Sequence, residues 1–289
     1  EDGCVNFCTY CAIPSIRGRY VSRPLEEVVA EAEELVSRGV RELVVVAQDT
    51  TRYGLDTTGK RQLPELLRRL ARTDVHWIRI LYAYPDEIDG DLLDAMQSSE
   101  KIVKYIDIPL QHADDTVLRR MNRRGKYEEI CALVDEFRRR DPRYILRTTF
   151  IVGFPGETEE DFEATLRLVE DVGFCAAYTF MYSPRIGTPA ASWPNQIPDD
   201  VKHERLARLN ALQAKKCVEN NEKYIGTVQE VLVEGCDERE GQNAFGKTSA
   251  FKMIYFPGDE SLIGKMLKVK VTKARSNSLL GEACTESGK

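Results

Sequence analysis

Three cysteines near the start of the chain are the residues whose spacing most directly indicates chemistry. Cys4, Cys8 and Cys11 have the spacing C-x3-C-x2-C, whereas the other five cysteines of this 289-residue chain are scattered singly. Three thiolates from one tight loop can converge on one metal centre. Iron–sulfur clusters are normally held by four thiolates, so three would leave one iron of a 4Fe-4S cluster open to a substrate or cofactor. The alternative is a zinc site completed by a distant histidine, since no Cys or His follows until His76.

The composition excludes several classes of protein. With 42% hydrophobic residues, 30% charged residues, 19 Gly and 12 Pro, the chain is neither disordered nor collagen-like. A net charge of -6 argues against a protein coated in nucleic acid. The cysteines are too sparse for a secreted disulfide scaffold, which predicts a reducing, cytoplasmic compartment. No apolar run approaches the roughly 20 residues of a membrane span, and no signal segment is visible. Because the chain begins with Glu1 rather than Met, we expect a fragment or a processed chain.

Helical and strand-like segments alternate through the first two thirds of the chain. Apolar residues recur at helical spacing from position 25 to 36, and the continuous run 42–47 predicts a strand buried on both faces. Further helices are predicted near 63–72, 89–97, 114–121, 126–140 and 158–171, and further strands near 76–82, 103–108, 144–152 and 175–182. Such alternation predicts a parallel sheet of five strands with crossover helices. We expect a sixth strand, at or before residue 1, ahead of the cysteine loop.

The pattern changes near Pro198. Asp199 and Asp200 are expected to cap a helix that ends near Asn221. Beyond Gly226, short alternating runs separated by glycines predict five strands, at 228–233, 244–248, 253–256, 266–271 and 278–281. The sequence therefore predicts an α/β domain over residues 1–222, whose last element is a linker helix at 199–222, and a small all-β barrel over residues 223–289.

Several motifs resemble the radical S-adenosylmethionine (SAM) superfamily, and within it the methylthiotransferases. An aromatic residue, Tyr10, precedes the third cysteine of the loop. The motifs that match the methylthiotransferase branch follow in order along almost the whole chain: IRGRY at 16–20, AQDTTRYG at 47–54, DIPLQHA at 107–113, RTTFIVGFPGET at 147–158 and YSPRIGTPA at 182–190. The C-terminal β-barrel fits that family's TRAM module.

This resemblance implies a fold and a cofactor chemistry. The fold is α/β, an incomplete parallel (β/α) barrel with its site at the C-terminal ends of the strands and its first strand truncated here, followed by the TRAM-like β-barrel. Cys4, Cys8 and Cys11 would hold a 4Fe-4S cluster whose open iron chelates the amino and carboxylate groups of SAM. One electron then cleaves SAM to a 5′-deoxyadenosyl radical. The residues expected to contact SAM are Tyr10, Gln48, Asp49, Gln111, Arg147, Gly153, Gly156 and Glu157.

Some of these residues have structural alternatives that the sequence leaves open. Gln48 and Asp49 end a strand, where either a ligand contact or a helix or turn cap is possible. The glycines at 153 and 156 allow backbone to approach a ligand closely, but the segment also suits a strand-to-helix turn capped by Thr158. His112 is as compatible with a structural role as with a functional one.

The resemblance also implies partners and a reaction on the translation machinery. Family members carry an N-terminal domain with a second 4Fe-4S cluster implicated in sulfur insertion, and that domain is absent from this sequence. The chain as given is therefore expected to cleave SAM while its transfer of a methylthio group stays open. We further expect an electron donor of the flavodoxin or ferredoxin type, no membrane partner and a monomer.

Two substrates fit different parts of the chain. From Cys4 to about Glu163 the motifs resemble the branch that methylthiolates an aspartate of a small-subunit ribosomal protein. From about Ala176 onward they resemble the branch that modifies isopentenyladenosine in tRNA. Either a chimeric sequence or an intermediate subfamily would show this split resemblance. We favour the ribosomal protein because its features lie in the catalytic domain. A non-catalytic RNA- or ribosome-binding module with a structural cluster is a third possibility.

A basic segment in the last third bears on this choice. Between Lys265 and Arg275 there are five basic residues and no acidic one. On alternating strand positions they would form a face suited to RNA phosphates, or merely a solvated strand face. We expect the β-barrel to pack at the strand-end mouth of the α/β domain, or to be held near it by the long helix, and to hold a macromolecular substrate there.

Overall fold

Five parallel strands form the sheet of the first domain. The computed structural model describes residues 2–237 and 243–284, so the strand expected at or before residue 1 and the last residues of the predicted second domain lie outside the described residues. The strands are β1 (Glu42–Val45), β2 (Trp77–Ile80), β3 (Ile102–Gln111), β4 (Ile145–Val152) and β5 (Ala176–Met181), and they pair in that order. The predicted alternation and parallel sheet are confirmed.

Helices connect these strands and cover the outer face of the sheet. They are α1 (Ile13–Arg17), α2 (Leu25–Ser37), α3 (Leu55–Thr58), α4 (Leu63–Leu70), α5 (Gly90–Gln97), α6 (Asp115–Arg120), α7 (Tyr127–Arg140), α8 (Glu159–Val172) and α9 (Asp199–Glu222). Side chains alternate along each strand, so Ile78 and Ile80 of β2 enter the core beneath the helices. The side chain of Arg79, between them, lies on the inner, concave face of the sheet. No helix in the described part of the chain is long and apolar enough to cross a bilayer.

Strand β1 is an edge strand, and the prediction that it is buried on both faces is wrong. Leu43 and Val45 pack against the main core, whereas Val44 and Val46 are 43% and 55% exposed. The reason is tertiary: a β-branched run becomes buried on both faces only where other elements cover both faces. Among the described strands, β1 pairs with β2 alone.

The second domain is a closed five-stranded barrel, as predicted. Its strands pair in the order β10-β8-β7-β6-β9, where β6 is Val228–Asp237, β7 is Asn243–Thr248, β8 is Met253–Pro257, β9 is Met266–Ala274 and β10 is Leu279–Ala283. Alternate residues such as Val231, Ile254 and Val269 fill its interior. The long helix α9 precedes it, with Pro198 at the N-cap. The expected side-chain cap is absent there, since Asp199 instead accepts a bond from Lys202 Nζ at 3.1 Å.

The β-barrel packs at the amino ends of the parallel strands, so the expectation that it lies at the strand-end mouth is wrong. Its Thr248–Lys252 loop carries Phe251, whose ring lies 4.5 Å from the guanidinium carbon of Arg79. Arg79 Nη1 also donates to Ser249 O at 2.9 Å. The physical reason is that Trp77, Val103 and Tyr105 leave an apolar, aromatic surface at the amino ends of β2 and β3, and Phe251 covers it.

Candidate functional site

Hydrogen bonds to its backbone atoms hold the cysteine loop in one conformation. Cys11 N donates to Cys8 O at 3.0 Å, which closes a tight turn between the second and third cysteines. Asn122 Nδ2 donates to Asn6 O at 3.0 Å and to Phe7 O at 3.1 Å. Because Asn122 follows α6, the loop is anchored to a distant element rather than only to itself.

The three cysteines line a single cavity of about 390 Å³ at the carboxyl ends of the strands. Cys4 and Cys8 are buried and Cys11 is half-buried. Burial raises the pKa of the Cys4 and Cys11 thiols, and the nearby Cys8 raises both further. A cation that binds among such thiols favours their deprotonation, which burial otherwise opposes.

The donor set fits an iron–sulfur cluster better than a single metal ion. In the described ranges, no three His, Cys, Asp or Glu side chains converge closely enough to hold one metal ion. A four-iron cluster offers a separate iron to each thiolate, so its ligands stand apart around a cavity. The proposed zinc alternative also lacks its histidine, because none of the three histidines of the chain lines the cavity, and His76 Nε2 lies 2.9 Å from Glu230 Oε2 on the β-barrel.

Residues at the ends of three neighbouring strands form part of the cavity wall. Gln48 follows β1, Tyr82 and Tyr84 follow β2, and Gln111 ends β3. The remaining wall residues come from the cysteine loop, from α1, from β3 and from positions within β4 and β5: Phe7, Tyr10, Ile13, Pro14, Pro109, Thr149, Tyr178 and Phe180. The cavity therefore combines thiols and two amides with an aromatic lining, as expected of a site that binds a small molecule away from water.

Backbone strain is concentrated at this cavity. Phe7, Tyr82 and Gln111 have φ values of 48°, 57° and 77°, a left-handed region that residues other than Gly rarely occupy. At Gln111 the pairing of β3 with β4 also shifts register. Strained residues of this kind persist where the surrounding fold fixes them, and they cluster at functional sites.

The structure brings three of the eight predicted SAM contacts to the cavity and places Asp49 beside it. Tyr10, Gln48 and Gln111 lie on the wall. The Asp49 side chain is buried and accepts from Thr51 N, capping a short 3-10 helix, and from Asn6 Nδ2 at 2.9 Å. It therefore acts as the cap that the sequence left open and also ties down the cysteine loop.

The segment from Gly153 to Glu157 folds into a turn around its own carboxylate. Glu157 accepts from Gly153 N at 2.9 and 3.0 Å, and from Arg205 Nη1 at 2.8 Å. A side chain at Gly153 would meet Lys202 Cγ, and one at Gly156 would meet Arg120. The space beside both glycines is thus filled by protein side chains. Direct contact of this segment with a ligand stays a prediction.

Arg147 lies deep on the concave face, toward the amino ends of the strands. Its Nη2 donates to Asp107 Oδ2 at 2.8 Å, and its guanidinium carbon lies 4.8 Å from the centre of the Tyr178 ring. Tyr178 is on the cavity wall, whereas Arg147 is not. Arg147 thus contacts the wall through Tyr178, and its direct contact with SAM stays a prediction.

Reasoning from the sequence missed the aromatic wall and one buried arginine. Tyr178 and Phe180 are two residues apart in β5, so their side chains lie on the same face of the strand. This period-2 pattern was visible in the sequence and could have predicted the aromatic wall. Arg123, which is buried and stacks on Tyr84, carries no such signal because it lies in a loop after α6.

Family models match both domains. The radical SAM superfamily matches residues 2–169, and the TRAM domain matches residues 222–284. Among solved structures, coproporphyrinogen III oxidase (HemN) from Escherichia coli, a radical SAM enzyme, aligns with a TM-score of 0.54 over 99% of this chain and 70% of its own. At 18% identity, that likeness concerns the fold alone.

Curated relatives extend the match across nearly the whole chain. The ribosomal protein uS12 methylthiotransferase RimO of Moorella thermoacetica is 47% identical over 94% of this chain and 63% of its own length. The RimO of Alkaliphilus oremlandii is 41% identical over 99% of this chain and 67% of its own. The chain thus spans under two thirds of the Moorella protein. It belongs to the radical SAM superfamily and, within it, to the RimO-type methylthiotransferase family.

Proposed function

We propose that this chain is the catalytic and TRAM portion of a methylthiotransferase that acts on an aspartate of ribosomal protein uS12. The observation that carries the proposal is the convergence of Cys4, Cys8 and Cys11 with strand-end residues on one cavity. The relatives named for uS12 match 94% and more of the chain, so they cover its C-terminal third as well. The tRNA alternative suggested by that third is therefore not favoured.

Different residues of the cavity would bind the cluster and SAM. Cys4, Cys8 and Cys11 would hold a 4Fe-4S cluster, which with SAM supplies a carbon radical able to take hydrogen from an unreactive C–H bond. Gln48 and Gln111, from two strand ends, would hydrogen-bond the polar parts of SAM. The aromatic lining would exclude water from the reacting groups.

Residues off the wall would position those on it. Asp49 fixes Asn6 of the cysteine loop, and Arg147 supports Tyr178. Glu157 holds the turn after β4 closed from within. We infer that these three residues contribute to SAM binding indirectly, by positioning wall residues, in place of the direct contacts expected from the sequence.

The partners follow from the same proposal. An external one-electron donor of the flavodoxin or ferredoxin type would reduce the cluster. The other five cysteines lie away from the cavity, so a second cluster for sulfur insertion would require ligands outside the described residues. We propose that the protein acts as a monomer.

Anaerobic reconstitution tests the proposed chemistry. The chain is loaded with iron and sulfide, reduced with dithionite and given SAM, and 5′-deoxyadenosine and methionine are quantified. We expect a brown protein of four irons per chain that forms both products. A chain that binds iron yet leaves SAM intact would instead be a binding module with a structural cluster.

A binding titration tests the substrate. The five basic residues are Lys265, Lys268, Lys270, Lys273 and Arg275; Lys268 and Lys270 are exposed on β9, opposite Glu230 and Glu282 on the neighbouring strands. These carboxylates make the segment with the five basic residues a weaker binding face for RNA phosphates. We expect neutralising all five residues to change binding to uS12 and to barely affect binding to tRNA. A loss of tRNA binding with a flattened salt dependence would favour the tRNA substrate.

A further inference from the structure

Arg123 is a buried positive charge that pairs with no carboxylate among residues 2–237 and 243–284. It is 7% exposed, and its Nη2 donates to Pro109 O. Its Nη1 is also buried and has no hydrogen-bond partner in the described part of the chain. A buried guanidinium without a counter-charge is costly, because the charge has lost its hydration. Something that binds beside Arg123 is therefore expected to be negative.

The groups around Arg123 identify where that negative charge would be. Its guanidinium carbon lies 4.0 Å from the centre of the Tyr84 ring, and Tyr84 Oη lies 3.8 Å from Cys8 Sγ. Although burial opposes its charge, Tyr84, Tyr10 and Cys8 together raise the pKa of Arg123 above its ordinary value. The positive charge of Arg123 in turn opposes the rise in the pKa of the Cys11 thiol that burial causes. Two groups that Arg123 contacts, the Tyr84 ring and Pro109 O, belong to residues on the wall of the cavity that Cys8 and Cys11 also line.

We propose that Arg123 is a positioning residue for the iron–sulfur cluster, donating Nη1–H to the Cys8 sulfur or an adjacent sulfide and raising the cluster's reduction potential. This inference rests on the proposed function, since it requires the cluster, and it adds a residue that the cofactor motifs do not include. Hydrogen bonds to the sulfurs and nearby charge are the means by which a protein sets the potential of such a cluster.

The electrostatic sign follows from the electron count. A low-potential one-electron donor is oxidised and the cluster is reduced, without formation of a bond to the protein. A cluster held by three thiolates carries net negative charge, which increases when the electron arrives. The fixed positive charge of Arg123 therefore stabilises the reduced form more than the oxidised form. Without it, a smaller fraction of the cluster would be reduced at a given potential.

The experiment compares Arg123→Met and Arg123→Lys with a matched control. Arg79→Met is the control because Arg79 is also buried, stacks on an aromatic ring (Tyr105, 4.9 Å) and donates to a backbone carbonyl, but lies at the amino ends of the strands. Unlike Arg123 it also pairs with Glu42 at 2.7 Å, so this control is expected to lose stability while the cluster potential stays unchanged. Each protein is reconstituted anaerobically, assayed for iron and thermal unfolding, and titrated with dithionite and mediators under electron paramagnetic resonance.

We expect Arg123→Met to lower the ratio of reduced to oxidised cluster about tenfold at a fixed potential, which equals about 59 mV for a one-electron couple. Arg123→Lys should restore most of that ratio, and Arg79→Met should leave it at the wild-type value. A purely structural role for Arg123 would change thermal unfolding and leave the potential unmoved.

The outcomes separate this inference from the proposed function. The inference on Arg123 would be overturned if Arg123→Met held its full iron content and its cluster had the wild-type reduction potential. It would also be overturned if the cluster of Arg123→Lys had a potential as low as that of Arg123→Met. Should Arg123→Met assemble no cluster, Arg123→Gln takes its place as the neutral variant, judged by the same criterion. A wild-type chain that assembles no cluster would defeat the proposed function itself.

Discussion

At the scale of the residue, the same side-chain type plays different roles according to its surroundings. Cys4, Cys8 and Cys11 share a cavity, whereas Cys175 and Cys217 are buried in packing contacts, with Cys217 Sγ 3.3 Å from Cys175 O. Burial raises the pKa of Cys175 to about 11, so that thiol stays protonated and unreactive.

Removing one cavity thiol should therefore abolish cluster assembly. Cys8→Ala is expected to lose the brown chromophore, most of its iron and reductive SAM cleavage, because two thiolates from one loop no longer close the site. Cys284→Ala, at an exposed cysteine on the β-barrel, is the control and should retain all three. Iron analysis and absorbance after reconstitution measure the difference; full iron in Cys8→Ala would contradict the cluster assignment.

Glu157 permits a second prediction at this scale. Its carboxylate is buried and bonded to Arg205, so Glu157→Gln breaks a buried ion pair and should cost about 3 kcal/mol of unfolding free energy. The control is Glu159→Gln, whose pair with Arg208 is partly exposed and should cost under about 1 kcal/mol. Urea denaturation gives both values, and equal costs would argue against Glu157 as the centre of the turn.

At the scale of the element, the cysteine loop depends on one glycine. Gly3 precedes the first cysteine with a φ of 76°, and a Cβ there would lie 2.1 Å from Arg19 O. The backbone of residues 18 and 19 therefore packs directly against the start of the loop. Only glycine allows this approach.

Gly3→Ala should displace the loop and reduce cluster content. Gly59→Ala is the matched control, since Gly59 ends α3, away from the loop, and has a φ of 70° with nothing within 4 Å of its added Cβ. Both variants incur the strain of a positive φ, about 1 kcal/mol, and only the first adds a collision with backbone. Iron content after reconstitution distinguishes them, and equal loss in both would mean that strain alone governs the loop.

At the scale of the whole molecule, the β-barrel closes the end of the sheet opposite the cysteines. Phe251 has a φ of 61° and stacks against Arg79, while Lys252 Nζ donates to Cys175 O at 3.0 Å. One short loop thus joins the two domains through aromatic, cationic and hydrogen-bonding contacts.

Phe251→Ala should uncouple the domains. We expect a loss of about 2 kcal/mol in unfolding free energy, because a half-buried aromatic side chain is removed from the contact. Ile263→Ala, at an exposed position of the β-barrel, should cost little. Calorimetry should show a broadened or split transition for Phe251→Ala alone; a single, unshifted transition would mean that α9 joins the domains without this loop.

The sequence alone determined most of the elements of this protein and singled out the candidate cluster ligands. Strand and helix positions follow from the periodicity of apolar residues, and C-x3-C-x2-C is a local pattern that needs no tertiary information. For the same reason the five strands of the β-barrel were predicted close to their observed bounds.

Only the tertiary structure decided what each polar side chain faces. Asp49, Arg147 and Glu157 lie in the motifs that predicted a cofactor contact, yet their side chains bond to other protein groups. Arg123 carries no local signal, and contacts with residues distant in sequence place it beside Cys8. Periodicity describes one element at a time. The exposure of β1, the docking of Phe251 and the environment of a buried charge arise between elements, where the sequence has no local pattern to read.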